Sequence, residues 1–172
     1  MKISEIILLI LTSSVVASAL TLLGNRFLIS TNYKHDYYKK IIDQRLSAYE
    51  GIDRVINELA TFTQLESGEI IHTICYNKNS YDAFNDVLSE AMDKGIWFST
   101  GVSEKITEIN IFILGIHNKI NANNNTLTYQ QLGTEYFSQL KEFKSELKDL
   151  MNNDLESLHL VKGYFKEKRK ED

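Results

Sequence analysis

The sequence predicts an all-α protein, with an N-terminal transmembrane helix at residues 1–29, a cytosolic bundle of four or five helices at 30–165 and a charged tail at 166–172. Three observations carry this: an uncharged apolar run near the start, amphipathic stripes at three- and four-residue spacing through the rest, and a complete absence of Pro. Without Pro the commonest interruption of a helix is missing, so long helices are permitted.

The apolar run Ile6 to Leu23 holds 18 residues without a charge, eleven of them Leu, Ile or Val. As a helix it reaches roughly 27 Å at about 1.5 Å per residue, against a hydrocarbon core about 30 Å thick. A second reading stays open, because Lys2, the stretch Ile6 to Val16 and the triplet Ala17-Ser18-Ala19 fit the three regions of a cleaved export signal. Hydrophobicity continues past that cut through Leu20, Leu22 and Leu23, and Glu5 sits among the leading residues, which favours a lasting anchor. Lys2 alone precedes the run, whereas Arg26, Lys34, Lys39, Lys40 and Arg45 follow it, so the positive-inside rule predicts a single-pass protein of the bacterial plasma membrane whose C-terminal body is cytoplasmic. The lone Cys75 agrees with a reducing compartment.

Within the run, Ser13, Ala17 and Thr21 recur every fourth residue beside Ser14 and Ser18. Small residues at that spacing let helix backbones approach closely, which makes this a candidate packing face between membrane helices. Arg26, Lys34, Lys39 and Lys40, interleaved with Tyr33, Tyr37 and Tyr38, are candidates for contact with an anionic lipid surface.

Residues 33–64 read as one long helix, with only Ser30 to Asn32 between it and the membrane segment. Ile42, Tyr49 and Ile56 repeat at seven, with Ile52 and Leu59 between. "LESG" at 65–68 then predicts a helix stop with Gly68 as C-cap. "EIIHTICYN" reads as a strand or a hydrophobic connector, and pairing of residues 70–75 with Ile96 to Phe98 would give a minor two-stranded element. A helix over 81–93, capped by Asn79 or Ser80, turns Phe84, Val87, Leu88 and Ala91 inward; Trp97 just beyond it reads as core. The next helix, 101–120, capped by Ser99 or Thr100, has the stripe Ile106, Ile109, Ile113, Ile116 and Ile120. After the loop "NANNN", a helix from Thr126 or Thr128 carries Tyr129, Leu132, Tyr136, Leu140, Phe143, Leu147 and Leu150. Its phase breaks at 152–154, where Asn153 and Glu156 form a candidate capping box for a final helix. The long first and last body helices have matching seams and are the predicted antiparallel pair, although either seam also suits a second copy.

No catalytic, cofactor-binding or metal-binding residue is predicted. There is no GxxxxGK[ST], GxGxxG, HExxH or CxxC, and a net charge of −4 speaks against nucleic acid. His72 and Cys75 stand three apart, but a small buried Cys with a surface or capping His explains them more simply. Asp82, Asp86, Glu90 and Asp93 line one helix face as solvated acids. No small-molecule substrate is evident; the predicted partners are membrane lipid and a protein partner or a second copy.

In order, the apolar span, "YYKKIIDQRLSAYEGI", "IIHTICYNKNSYDAF" and "GIWFSTGVSEKI" resemble a loose group of uncharacterised bacterial single-pass membrane proteins with a cytosolic helical body. The resemblance implies a membrane-tethered, non-enzymatic helical protein in an antiviral or stress-response setting. Self-association of the small-residue face into a membrane-perturbing effector or toxin is the alternative reading.

Overall fold

The computed structural model describes residues 3–11, 14–122 and 128–160. Six helices and one two-stranded sheet are present among them. The chain divides into two units, Met1–Ile41 and Ile42–Asp172.

The first unit contains α1 (Ile3–Leu11) and the first part of α2 (Ser14–Ala60). The predicted junction at Ser30 to Asn32 is uninterrupted helix, as expected where neither Pro nor a glycine cluster intervenes. Among the described residues, no helix is long and apolar enough to cross a membrane. The predicted span Ile6 to Leu23 falls partly on α1 and partly on α2, and residues 12 and 13 lie outside the described residues.

The second unit is a helical bundle around one core. The remainder of α2 buries Tyr49, Ile52, Ile56 and Leu59 as the heptad reading predicts, together with Ala48 and Val55. This helix stops at Ala60, four residues short of the predicted end. The Thr61 hydroxyl turns back to the Glu58 carbonyl at 2.8 Å, and the next residues form β1 (Phe62–Gln64), paired antiparallel with β2 (Ile70–His72) in the register Phe62 to His72. Thr, Phe and Ile favour the pleated geometry, and the Thr63 and Thr73 hydroxyls meet at 2.9 Å across it.

The partner of β2 is therefore 62–64 and not 96–98. "LESG" is the hairpin turn between the strands rather than a helix C-cap. There Gly68 takes φ +87°, which glycine adopts without steric cost, and its N–H donates to the Leu65 carbonyl at 2.9 Å. Residues Gly95–Trp97 form a single 3-10 turn, with Trp97 half-buried against the core.

α3 (Lys78–Met92) is capped by Asn77, two residues before the nearer predicted cap, whose side chain accepts from the Ser80 N–H at 3.0 Å. α4 (Thr100–Ala122) follows Ser99, whose hydroxyl accepts from the Val102 N–H at 3.4 Å, and buries all five isoleucines of its predicted stripe. The predicted helix beyond 126 is two helices, α5 (Tyr129–Glu135) and α6 (Phe137–Glu156). They bend at Tyr136, whose backbone at φ −101° and ψ 12° leaves the helical region while its ring packs on the edge of Phe112 at 5.1 Å. α6 runs unbroken through 152–154, and the capping box forms at Thr128 and Gln131 instead of at Asn153 and Glu156.

α4 packs against both α6 and α3, and two antiparallel runs of side-chain contact stand out. Ser47, Gly51 and Arg54 of α2 face Lys94, Ala91 and Glu90. Lys105, Phe112 and Lys119 of α4 face Glu146, Phe143 and Glu135. The predicted pairing of the first and last long helices gives way to these, and α2 meets α6 through Tyr49 and Asp154.

Candidate functional site

In the first unit, Ala17, Ser18 and Thr21 are exposed on α2; Ser14 begins that helix, and Ser13 lies outside the described residues. The Thr21 hydroxyl donates to its own helix, to the Ala17 carbonyl at 2.8 Å. A serine or threonine so bonded has already used its donor on the preceding turn. Leu20, Leu22, Leu23, Phe27, Leu28 and Ile29 are all exposed. At 100° per residue they point all round the helix rather than along one stripe. Arg26, Lys34, Lys39 and Lys40 are exposed as well, spread over roughly 21 Å of the helix at about 1.5 Å per residue, with Tyr33 and Tyr37 exposed among them.

Arg45, the last of the basic residues clustered after the apolar run, differs from these. It is 2% exposed in the second unit, one helical turn from Tyr49. The Tyr49 hydroxyl donates to Asp154 Oδ2 on α6, and the same oxygen accepts the Ser99 N–H at 3.3 Å, just ahead of α4. One carboxylate thus joins three helices, and its charge lies at the electropositive start of α4. Burial, with the Asp154 carboxylate beside it, pushes the Tyr49 phenol far above its ordinary range, so the phenol is a hydrogen-bond donor and not a nucleophile.

Next to this network opens a cavity of about 620 Å³ lined by Leu46, Glu50, Asp53, Arg54, Lys94 and Leu155 among others. Its cations are engaged: Lys94 Nζ donates to the Ser47 carbonyl at 3.0 Å, and Arg54 pairs with Glu90 at 2.9 Å. Of the predicted acidic face, Glu90 thus serves α2, and Asp82 pairs with Lys78 on its own helix at 3.0 Å.

His72 is not a surface residue; it stands at the N-cap position of the 3-10 turn Thr73–Cys75, with no capping bond from its side chain. It is fully buried at the end of β2, with its ring between Phe62 and Phe137 at centroid distances of 4.8 and 4.9 Å, and Nε2–H donates to the Phe137 carbonyl at 3.1 Å. Burial lowers its pKa below 6.5, so the ring is neutral and this tautomer is set by the carbonyl. Cys75 ends the 3-10 turn Thr73–Cys75 and packs on the backbone of Gly133. Burial pushes its thiol up to about 12, which keeps it protonated and unreactive. The two side chains serve different contacts, and no thiolate–imidazole pair results.

Sequence reasoning counted Arg45 only among the basic residues after the apolar run, and it passed over Asp154 and Gly133. The signal for the first two is present: Arg45 precedes Ile52 and Leu59 by steps of seven, and Asp154 follows Leu147 by seven, so both occupy core registers. Nothing local marks Gly133, because its neighbours Cys75 and Ile71 lie about sixty residues away along the chain.

No family model, curated protein or solved structure matches this chain.

Proposed function

We propose that this chain is a non-enzymatic, membrane-tethered helical protein whose N-terminal apolar segment sits in lipid and whose helical body binds a protein partner or a second copy. The observation carrying this reading is the all-round exposure of Leu20, Leu22, Leu23, Phe27, Leu28 and Ile29. Large apolar side chains on every side of a helix match hydrocarbon, whereas a helix lying along a membrane surface carries one apolar and one basic face. The exposed basic residues that follow, Arg26, Lys34, Lys39 and Lys40, support the same placement, since long basic side chains beyond an apolar segment suit an anionic lipid surface. Among the described residues no helix is long and apolar enough to cross a membrane, so the reading draws on the apolar character of the whole N-terminal segment. Tethering raises the local concentration of the body at the bilayer, which favours assembly there without new contacts. The single-pass, cytoplasm-facing topology follows the distribution of basic residues. The antiviral or stress-response setting rests on the sequence resemblance alone.

Carbonate extraction of cells expressing the full chain, together with topology reporters fused after Phe27 and at the C-terminus, tests the reading. The expected result is a carbonate-resistant protein of full length with both reporters active in the cytoplasm. A mature chain starting near Leu20, or extraction into the supernatant, overturns it.

A further inference from the structure

We infer that two copies of this chain pair through the outward face of α4, antiparallel, across a two-fold axis level with Ile113 and Leu114. The inference names the partner of the body in the reading above; it rests on that body being a binding module and is independent of the tether. Ile111 is 65% exposed and Leu114 46% exposed in the middle of α4. From Ile109 to Asn118 the helix carries no Asp, Glu, Lys or Arg. The other bundle helices turn charge outward: Asp86 and Glu90 from α3 with Asp93 at its end, and Lys141, Glu142 and Lys148 from α6. Gly115 occupies the same outward face, with open space where its Cβ would be, so no packing within the chain requires a glycine there. A glycine inside a helix disfavours the helix, and its use at this point is explained by another backbone that approaches closely.

The charges select the occupant. Glu104 and Glu108 lie at the N-terminal end of this face and Lys119 at its C-terminal end, all exposed. A two-fold axis runs the second α4 in the opposite direction and brings each flank onto the same flank of its partner, so Glu108 of one copy meets Lys119 of the other. That pairing places Ile111, Leu114 and Gly115 at the centre of the contact, with the polar residues at its rim. Within one chain Glu108 pairs with Lys105, which is half-buried and also reaches Glu146, and Lys119 lies over the Tyr136 ring and pairs with Glu135; the exposed carboxylate of Glu108 and the exposed Lys119–Glu135 pair are of the kind that is easily exchanged.

Oxidative cross-linking of the full-length chain in intact cells tests this. A Gly115→Cys variant should form a disulfide-linked dimer, since positions beside a two-fold axis reach the Cα separation a disulfide needs, roughly 4.4–6.8 Å. Cys75 is buried and contributes no link. Adding Glu108→Lys or Lys119→Glu to this variant should lower the dimer several-fold, and adding both should restore it. Restoration cannot come from the intrachain pairs, because the double exchange sets a second cation beside Lys105 and a second carboxylate beside Glu135. No more dimer than with Ser145→Cys on the exposed side of α6, a loss not restored by the double exchange, or an adduct whose mass is not twice that of the chain would overturn the proposal. A failure of the tether would instead appear as cross-linked dimer in the soluble fraction.

Discussion

Single residues fix the core more tightly than their chemistry suggests. A Cβ at Gly133 would stand 2.6 Å from the Cys75 Cβ and 3.4 Å from that of Ile71. Gly133→Ala should therefore lower stability by about 1–3 kcal/mol through overpacking, whereas Gly115→Ala, whose Cβ meets nothing within its own chain, should raise the stability of the monomer by up to about 1 kcal/mol; urea titrations of the two variants, at concentrations that keep the chain monomeric, check both signs. Tyr49→Phe removes one of the two donors to Asp154 and should cost about 1.5–3 kcal/mol, as loss of a hydrogen bond to a charged group does. His72 adds a pH dependence. Its folded pKa is lowered by burial, so the unfolded chain takes up a proton there that the native state does not. Stability is complete above the unfolded value of about 6.5 and falls as pH drops below it. The His72→Gln variant should lose this part of the acid slope, read as melting temperature against pH between 7 and 5.

At the scale of elements, periodicity was a sound guide to which faces are buried and a poor one to where helices end. The α4 stripe, the α2 seam from Tyr49 to Leu59 and Phe84, Leu88 and Ala91 are buried as their spacing predicts, while the predicted Ile42 and Val87 are only half-buried. The ends differ because tertiary partners decide them. Residues 62–64 leave the helix to pair with 70–72, and Tyr136 bends the backbone so that its ring reaches Phe112. The short α5 depends on its start, where the Thr128 hydroxyl accepts the Gln131 N–H and the Gln131 side chain accepts the Thr128 N–H. Thr128→Ala should cost about 1 kcal/mol, measured by chemical denaturation, and amide exchange should quicken over residues 129–135 ahead of the rest of the bundle.

At the scale of the whole molecule, the two units differ in where their apolar side chains lie. The second unit gathers most of them in one core, with Ile96, Ile111 and Leu114 among those left exposed, while the large apolar side chains from Leu20 to Ile29 in the first are exposed on every side of its helix. The membrane reading of that contrast predicts a graded electrostatic contribution. Replacing Lys34, Lys39 and Lys40 by Glu should weaken binding of the full chain to vesicles containing anionic lipid by at least about 1 kcal/mol per position, and should leave binding to neutral vesicles unchanged, as co-sedimentation would show.

The sequence by itself determined the helical class, the apolar character of residues 6–23 and the inward stripes of the bundle, since all three follow from side-chain chemistry repeated at a fixed local spacing. Only the tertiary structure decided that β2 pairs with β1, that Arg45 and His72 are buried, that Asp154 joins three helices, and that α2 packs with α3 and α4 with α6. Each of these depends on residues far apart in the chain. Their energies come from one partner meeting another, a juxtaposition that no local pattern encodes.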